Sequence, residues 1–380
     1  MDFSWTEAQL AYKSKVIEFA KTLNDDYTLR EREGIFSRDY WRKCAEFGIQ
    51  GLPMPTEYGG GGMDIFHSLL AMEGLGYGWH DLGIIFGINA QMWSVQMPIL
   101  THGTAEQKEK YLPPMITGEM IGGHAMSEPS SGSDAYSMKA TAKRQSGGYL
   151  INGSKTYITG GPVSDFYLVF ANTSPEKGMW GVTGFIVDRD TPGVMVSPVI
   201  DKMGLRTIPM GSLELKEVFI PESSRLGPEG AGAQIFNSSM EWERSCILAS
   251  NIGAMERQLE TNIRYARDRR QFKQPISKFQ SVSNRIVDMK VRLETARLIL
   301  YKVAWLKSRG KNATMDAAIA KLYLSEMFVE SSLDAIRNHG APGILTRSGV
   351  DHDLRDSIGG LIYSGTSDIQ RNIIARLLGL

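Results

Sequence analysis

The stretch YLINGSKTYIT, residues 149–159, decides how the rest of the chain is read. Two short runs rich in β-branched and aromatic residues flank Asn152-Gly153, a dipeptide that tolerates the positive φ angles of a tight turn. The stretch therefore predicts a β-hairpin. Strand character continues in DFYLVFA (165–171), TGFIVDR (183–189), GVMVSPV (193–199) and SLELKEVFI (212–220), separated by Gly, Pro and Asp. Several short strands at this spacing predict a small antiparallel β-barrel or sandwich over residues 121–230.

Outward from this block, both flanks change to helical periodicity. In residues 1–120, Leu10, Ile17, Phe19 and Ala20 begin one apolar stripe. Tyr40, Trp41, Cys44 and Phe47 form another, ended by Gly48. The loop PTEYGGGG (55–62) leads into a further helix through Leu69, Met72 and Leu75. Its four glycines read as a helix connection rather than a phosphate cradle, because no strand precedes them and no Lys-Ser/Thr follows. In residues 231–380, Ile247, Leu248, Ile252, Met255 and Leu259 make one stripe. Ile286, Met289, Leu293, Ala296 and Leu300 make a second, and residues 318–336 a third. Long helices joined by short loops predict a C-terminal four-helix bundle. The expected architecture is α+β: an N-terminal helical domain (1–120), a middle β domain (121–230) and a C-terminal helical bundle (231–380).

Bulk properties narrow the function classes. Lys+Arg and Asp+Glu both number 42 in 380 residues, so no basic excess asks for nucleic acid or a membrane surface. Cys44 and Cys246 are too few for a disulfide framework or a cysteine metal site, and suit a reducing cytoplasm. Cys246 reads as a small helix residue before it reads as a redox thiol. The six histidines show no metal-ligand spacing, so no metal is expected. The opening MDFSWTEAQL does not look like a signal peptide, and no apolar run approaches the roughly 18 residues of a membrane span.

Four motifs then occur in order: AMSEPSSGSD (125–134), TYITGG (156–161), RRQFKQPISKFQ (269–280) and YSGTSDIQRNIIAR (363–376). Together with TGFIVDRDTPGV and DKMGLR between them, they resemble the acyl-CoA dehydrogenase family over the whole chain. Longer runs, SSMEWERSCILA (238–249), GAMERQLE (253–260) and LRDSIGGLIYSGTSDIQRNIIARLLGL (354–380), are similar to its branch of L-prolyl-carrier-protein dehydrogenases and oxidases. The resemblance implies FAD, a thioester on the phosphopantetheine arm of a carrier protein, α-proton abstraction by a carboxylate, and hydride transfer to flavin N5. A short- or branched-chain acyl-CoA dehydrogenase is the alternative, and a flavin-binding scaffold without catalysis is a third reading. The electron acceptor, oxygen or an electron-transfer flavoprotein, stays open.

The resemblance also implies roles for particular residues. Where many members carry a catalytic glutamate before Gly-Thr, this chain has Ser364, whose hydroxyl is no base near neutral pH. The family's other location for the base corresponds to Glu243, followed by Arg244. Met240, Glu243 and Ile247 share one helical face, and an apolar setting raises a carboxyl pKa and so strengthens the base. The competing reading makes Glu243 a surface acid paired with Arg244 or Arg264. Arg244 and the backbone N–H of Ser364 are expected beside the substrate. Met126, Ser127, Ser133, Tyr157 and Thr159 correspond to contacts with the isoalloxazine. Arg269, Phe272 and Gln280, with Arg337 and Gly340 in the loop RNHGAPG, correspond to a grip on the adenosine diphosphate half from a neighbouring subunit. Thr366 and Asp368, entering the last helix, touch flavin or adenine again. Lys273 and Arg337 depart from the family's usual residues at their positions. Sharing one FAD between subunits implies a homo-oligomer, the family's tetramer.

Overall fold

The computed structural model, described over residues 4–23 and 26–380, places the β region between two helical blocks. Its strands are β1 (Gly122–Ala125), β2 (Thr141–Gln145), β3 (Gly148–Thr159), β4 (Phe166–Asn172), β5 (Val182–Asp188), β6 (Val194–Val196), β7 (Met210–Pro221) and β8 (Arg225–Leu226). They hydrogen-bond in the order β6-β7-β3-β2-β4-β5-β8, with β1 beside β4. The helical–β–helical order is the expected one, but the expected antiparallel barrel is not closed. β6 and β8 are open edges of only three and two residues, too short to pair into a ring. The sheet is also mixed, since β1 runs parallel to β4 and β2 meets β4 in parallel at one pair, Thr141 with Asn172.

Asn152-Gly153 is not a turn. β3 runs straight through it, and the hairpin closes at Ser146-Gly147 instead. Gly153 takes φ +145°, and a Cβ there would lie 2.6 Å from Ala140. The register of β3 against β7 shifts at this point, which is a β-bulge, and the Asn152 side chain accepts a hydrogen bond from the Glu217 N–H. The positive φ that suits a turn suits a bulge equally well.

All seven residues of β4 are buried, because helices cover what the sheet leaves open. The helices Ile65–Gly78 and Ala249–Asp268 cross where Gly76 and Gly253 meet. A Cβ on either would sit 1.9 Å from a backbone oxygen of the other helix. Glycine costs a helix interior about 1 kcal/mol relative to alanine, and the close crossing offsets that. One core therefore joins the first and last helical blocks, with Trp41, Trp79 and Trp93 fully buried in it. Met289, Leu293, Ala296 and Leu300 are buried as their stripe predicts, within the long helix Gln280–Ser308 that packs on Thr314–His339. Leu10 is exposed instead, and the first helix buries Val16 and Ala20. The tetraglycine loop bonds its amides inward, Gly61 and Gly62 donating to Gly51 and Met54, so it is a connection.

Candidate active site

A cavity of about 590 Å³ opens where the three regions meet, within the usual size of a ligand pocket. Its first wall is built by the helix Gly232–Cys246. Glu243 faces inward there with 7% exposure, beside Met240 and Arg244. One carboxylate oxygen accepts from Ser364 Oγ at 2.5 Å, and the other accepts from Ser94 Oγ. Burial pushes this carboxyl up from its ordinary pKa, against the pull of the two hydroxyl donors, Arg244 and Lys321. Glu243 is therefore no surface acid. Arg264 lies elsewhere, bonded to Thr261.

Local structure brings each partner in. The segment from Leu82 to His102 is helical throughout, but Gln91–Gln96 forms a wide π-helical turn. Pro98 follows it, and in a continuous α-helix its ring would clash with the carbonyl of Ser94 four residues earlier. The wider turn relieves that clash and places Ser94 on the cavity wall. Ser364 stands at φ +57°, costly for a residue with a Cβ. Its oxygen atoms hold it there: Oγ donates to Glu243, while the carbonyl accepts from Arg244 Nε at 3.0 Å and Gln370 Nε2 at 3.1 Å. No local spacing in the sequence points to Ser94, which lies 149 residues from Glu243.

The second wall is the loop after β1. Glu128 accepts from the amides of Lys139 and Ala140 and pairs at 2.9 Å with Lys155, which is fully buried and also donates to the Met126 carbonyl at 3.0 Å. This buried clamp fixes Met126 and Ser127 at the cavity. Opposite them, β3 bulges between Lys155 and Ile158, and Tyr157 at φ +58° turns its ring outward to 61% exposure at the cavity edge. Ser133, Thr159 and Thr366 also line the space. The hydroxyls of Ser127, Ser133 and Thr159 have no partner within the chain among the described residues, so they are available to a ligand. Thr366 instead caps the last helix by accepting from the Ile369 N–H.

The remaining expected residues lie outside this cavity. Arg269 ends its helix on the surface, and a two-stranded tip follows in which Phe272 (φ +50°) is 88% exposed. Gln280, Arg337, Gly340 and Asp368 are exposed as well, Arg337 paired with Asp334 and Asp368 with Arg371. A single chain does not bring them to the cavity. Cys246 is buried, and burial pushes its thiol up to about 12, which leaves it an inert helix residue. Among the described residues no cluster could hold a metal ion, and no helix is long and apolar enough to cross a membrane.

The chain matches the acyl-CoA dehydrogenase family over the N-terminal domain (residues 6–119), the middle domain (123–218) and the C-terminal domain (230–379), and it belongs to that family. It is 40% identical to an L-prolyl-[peptidyl-carrier protein] dehydrogenase of Serratia sp., covering 100% of this chain and 99% of that one. Among solved structures, the prolyl acyl carrier protein oxidase AnaB superposes with a TM-score of 0.98 at 49% identity over 99% of this chain and all of that one. PigA with FAD and proline superposes with a TM-score of 0.98 at 40% identity over the full length of both.

Proposed function

We propose that this chain is an FAD-dependent dehydrogenase or oxidase acting on an aminoacyl thioester, a prolyl group on the phosphopantetheine arm of a carrier protein. The observation that carries the reading is the Glu243 carboxylate, buried on the cavity wall between two hydroxyl donors and without a salt-bridge partner among the described residues. The cavity suits FAD by its chemistry: its lining combines the aromatic Tyr157, the uncommitted hydroxyls of Ser127, Ser133 and Thr159, and a His124 Nε2 that has no partner among the described residues. Bound FAD supplies the hydride acceptor. The full-length prolyl-carrier relatives support the substrate class.

Glu243 takes the substrate's α-proton, which the thioester carbonyl acidifies. Dehydration makes it a stronger base, and the Ser94 and Ser364 hydroxyls keep it ionised and aimed. The Ser364 backbone N–H receives the thioester oxygen, and Arg244 secures that loop through the Ser364 carbonyl. Met126, Ser127, Ser133, Tyr157, Thr159 and Thr366 would hold the isoalloxazine, while Asp368, outside the cavity, would meet the flavin or adenine only at its margin. Arg269, Phe272, Gln280, Arg337 and Gly340 would reach the adenosine diphosphate half bound in a neighbouring copy, which calls for a homo-oligomer such as the family's tetramer.

The test offers the FAD-loaded protein prolyl-carrier protein, prolyl-CoA and butyryl-CoA under anaerobic stopped flow. Rapid bleaching of flavin absorbance by the prolyl-carrier protein is expected. Bleaching by butyryl-CoA alone would assign the chain to short-chain acyl-CoA oxidation instead.

A further inference from the structure

Lys155 and Glu128 form a salt bridge of 2.9 Å, with side chains 0% and 3% exposed, sealed behind the loop that follows β1. Lys155 lies on β3 and does not itself line the cavity. Its ammonium also donates to the Met126 carbonyl at 3.0 Å, and the next amide of the strand, that of Thr156, donates to the Ser127 carbonyl at 2.9 Å. Two adjacent residues of one strand thus pin both carbonyls of Met126 and Ser127. The peptide joining these two is trans, since the described residues contain no cis bond, so its N–H points opposite to its carbonyl. The carbonyl faces the buried ammonium. The Ser127 N–H faces away from it, on the side where Met126 and Ser127 line the cavity. That N–H has no partner within the chain among the described residues.

We propose that Lys155 is a positioning residue that tunes the flavin: its ammonium, bonded to the Met126 carbonyl, polarises the peptide and strengthens the Ser127 N–H as a donor to the ring edge that gains negative charge on reduction. A hydrogen bond with one charged partner is about twice as strong as a neutral one, and bonds in series polarise one another. Glu128 moderates the effect. It accepts from Lys155 and from the amides of Lys139 and Ala140, so its charge is shared among three donors and cancels only part of the ammonium's field. Burial raises the Glu128 pKa, but the Lys155 bond and the two amides outweigh it. Burial lowers that of Lys155, opposed by the contact with Glu128. A carboxylate ionised 2.9 Å away calls for the ammonium form.

The proposal rests on FAD occupying this cavity, and not on the substrate or on Glu243. Its readout is the midpoint potential of the bound flavin, measured at pH 6 against a reference dye without substrate. K155M should make reduction harder by about 10-fold in the equilibrium constant, or about 30 mV for a two-electron couple. E128Q should make reduction easier, because the ammonium loses its counter-charge. A lysine that only braces the loop would leave both potentials unmoved or shift them in the same direction, and either result overturns the proposal. Should K155M not fold, E128Q/K155M takes its place and should lie about 10-fold below E128Q. Should that variant fail as well, the sign of E128Q alone decides: an easier reduction supports the proposal, and a harder or unchanged one overturns it. A parent chain that takes up no FAD defeats the cofactor reading and the proposal with it, whereas unmoved potentials in FAD-loaded variants defeat the proposal alone.

Discussion

The wall around Glu243 and the tip around Phe272 are the two ends of one proposed site, and they are built in opposite ways. At the first, a π-turn, a helix and a strained loop converge on a buried carboxylate, and every partner comes from the same chain. At the second, Arg269, Phe272 and Gln280 stand exposed, and the Phe272 ring meets Phe279 edge-on while staying 88% exposed. Proton abstraction needs a fixed angle and a dry setting, which one folded core can provide. Gripping a long dinucleotide needs reach, and under the proposed function the exposed arm would gain its partners from another copy. Damage to the two ends should therefore separate cleanly.

The largest separation is expected from S94A/S364A, which strips both hydroxyls from the base. Hydrogen bonds to a charged group contribute about 1.5–3 kcal/mol each, so the double variant should lose about 10³-fold in flavin reduction near neutral pH. Its FAD content, read from the absorbance of the desalted protein, should stay full. Both donors favour the ionised carboxyl, so their loss should also move the acidic limb upward. A double variant that reduces flavin normally would break the distinction.

R269A/F272A should give the converse pattern. FAD should dissociate about 10-fold more readily on dilution, the effect of roughly 1.4 kcal/mol of lost contact. Protein resupplied with excess FAD should reduce at the parent rate. Sedimentation at the same concentrations tests whether the subunits separate as FAD leaves.

A smaller effect lies in the helix Val350–Gly360, beside the cavity. Asp356 is buried, accepts from the Leu205 N–H, and burial with the nearby carboxylates Asp353, Asp81 and Glu31 raises its pKa to about 8. A carboxyl raised by folding contributes stability that is fully present below the unfolded value near 4 and is lost as pH rises through about 8. D356N should therefore gain on the parent chain across that window, by on the order of 1 kcal/mol in chemical denaturation. An unchanged difference between acid and mildly alkaline pH would remove Asp356 from this role.

How much of this was legible in the sequence follows from which features are local. The helical–β–helical order could be read because the period of the apolar residues changes twice; Glu243 is reached through the family resemblance, with the face it shares with Met240 and Ile247 as support. Asn152-Gly153 misled because a tight turn and a bulge require the same backbone freedom. Closure of the barrel depends on the lengths of β6 and β8, which composition does not fix. Ser94 reaches Glu243 from a π-helical turn that no apolar period marks, and Ser364 contributes a hydroxyl where the family resemblance implies just a backbone donor. Contacts made across 120 residues or more leave no periodic trace.

The central claim is that Glu243 removes the substrate proton. The most direct measurement mixes FAD-loaded E243Q with saturating prolyl-carrier protein without oxygen and follows flavin absorbance. Normal FAD binding, a substrate-induced spectral perturbation and reduction slowed by about 10³-fold or more are expected, beyond the lower end of what a general base supplies. Bleaching at the parent rate would contradict it.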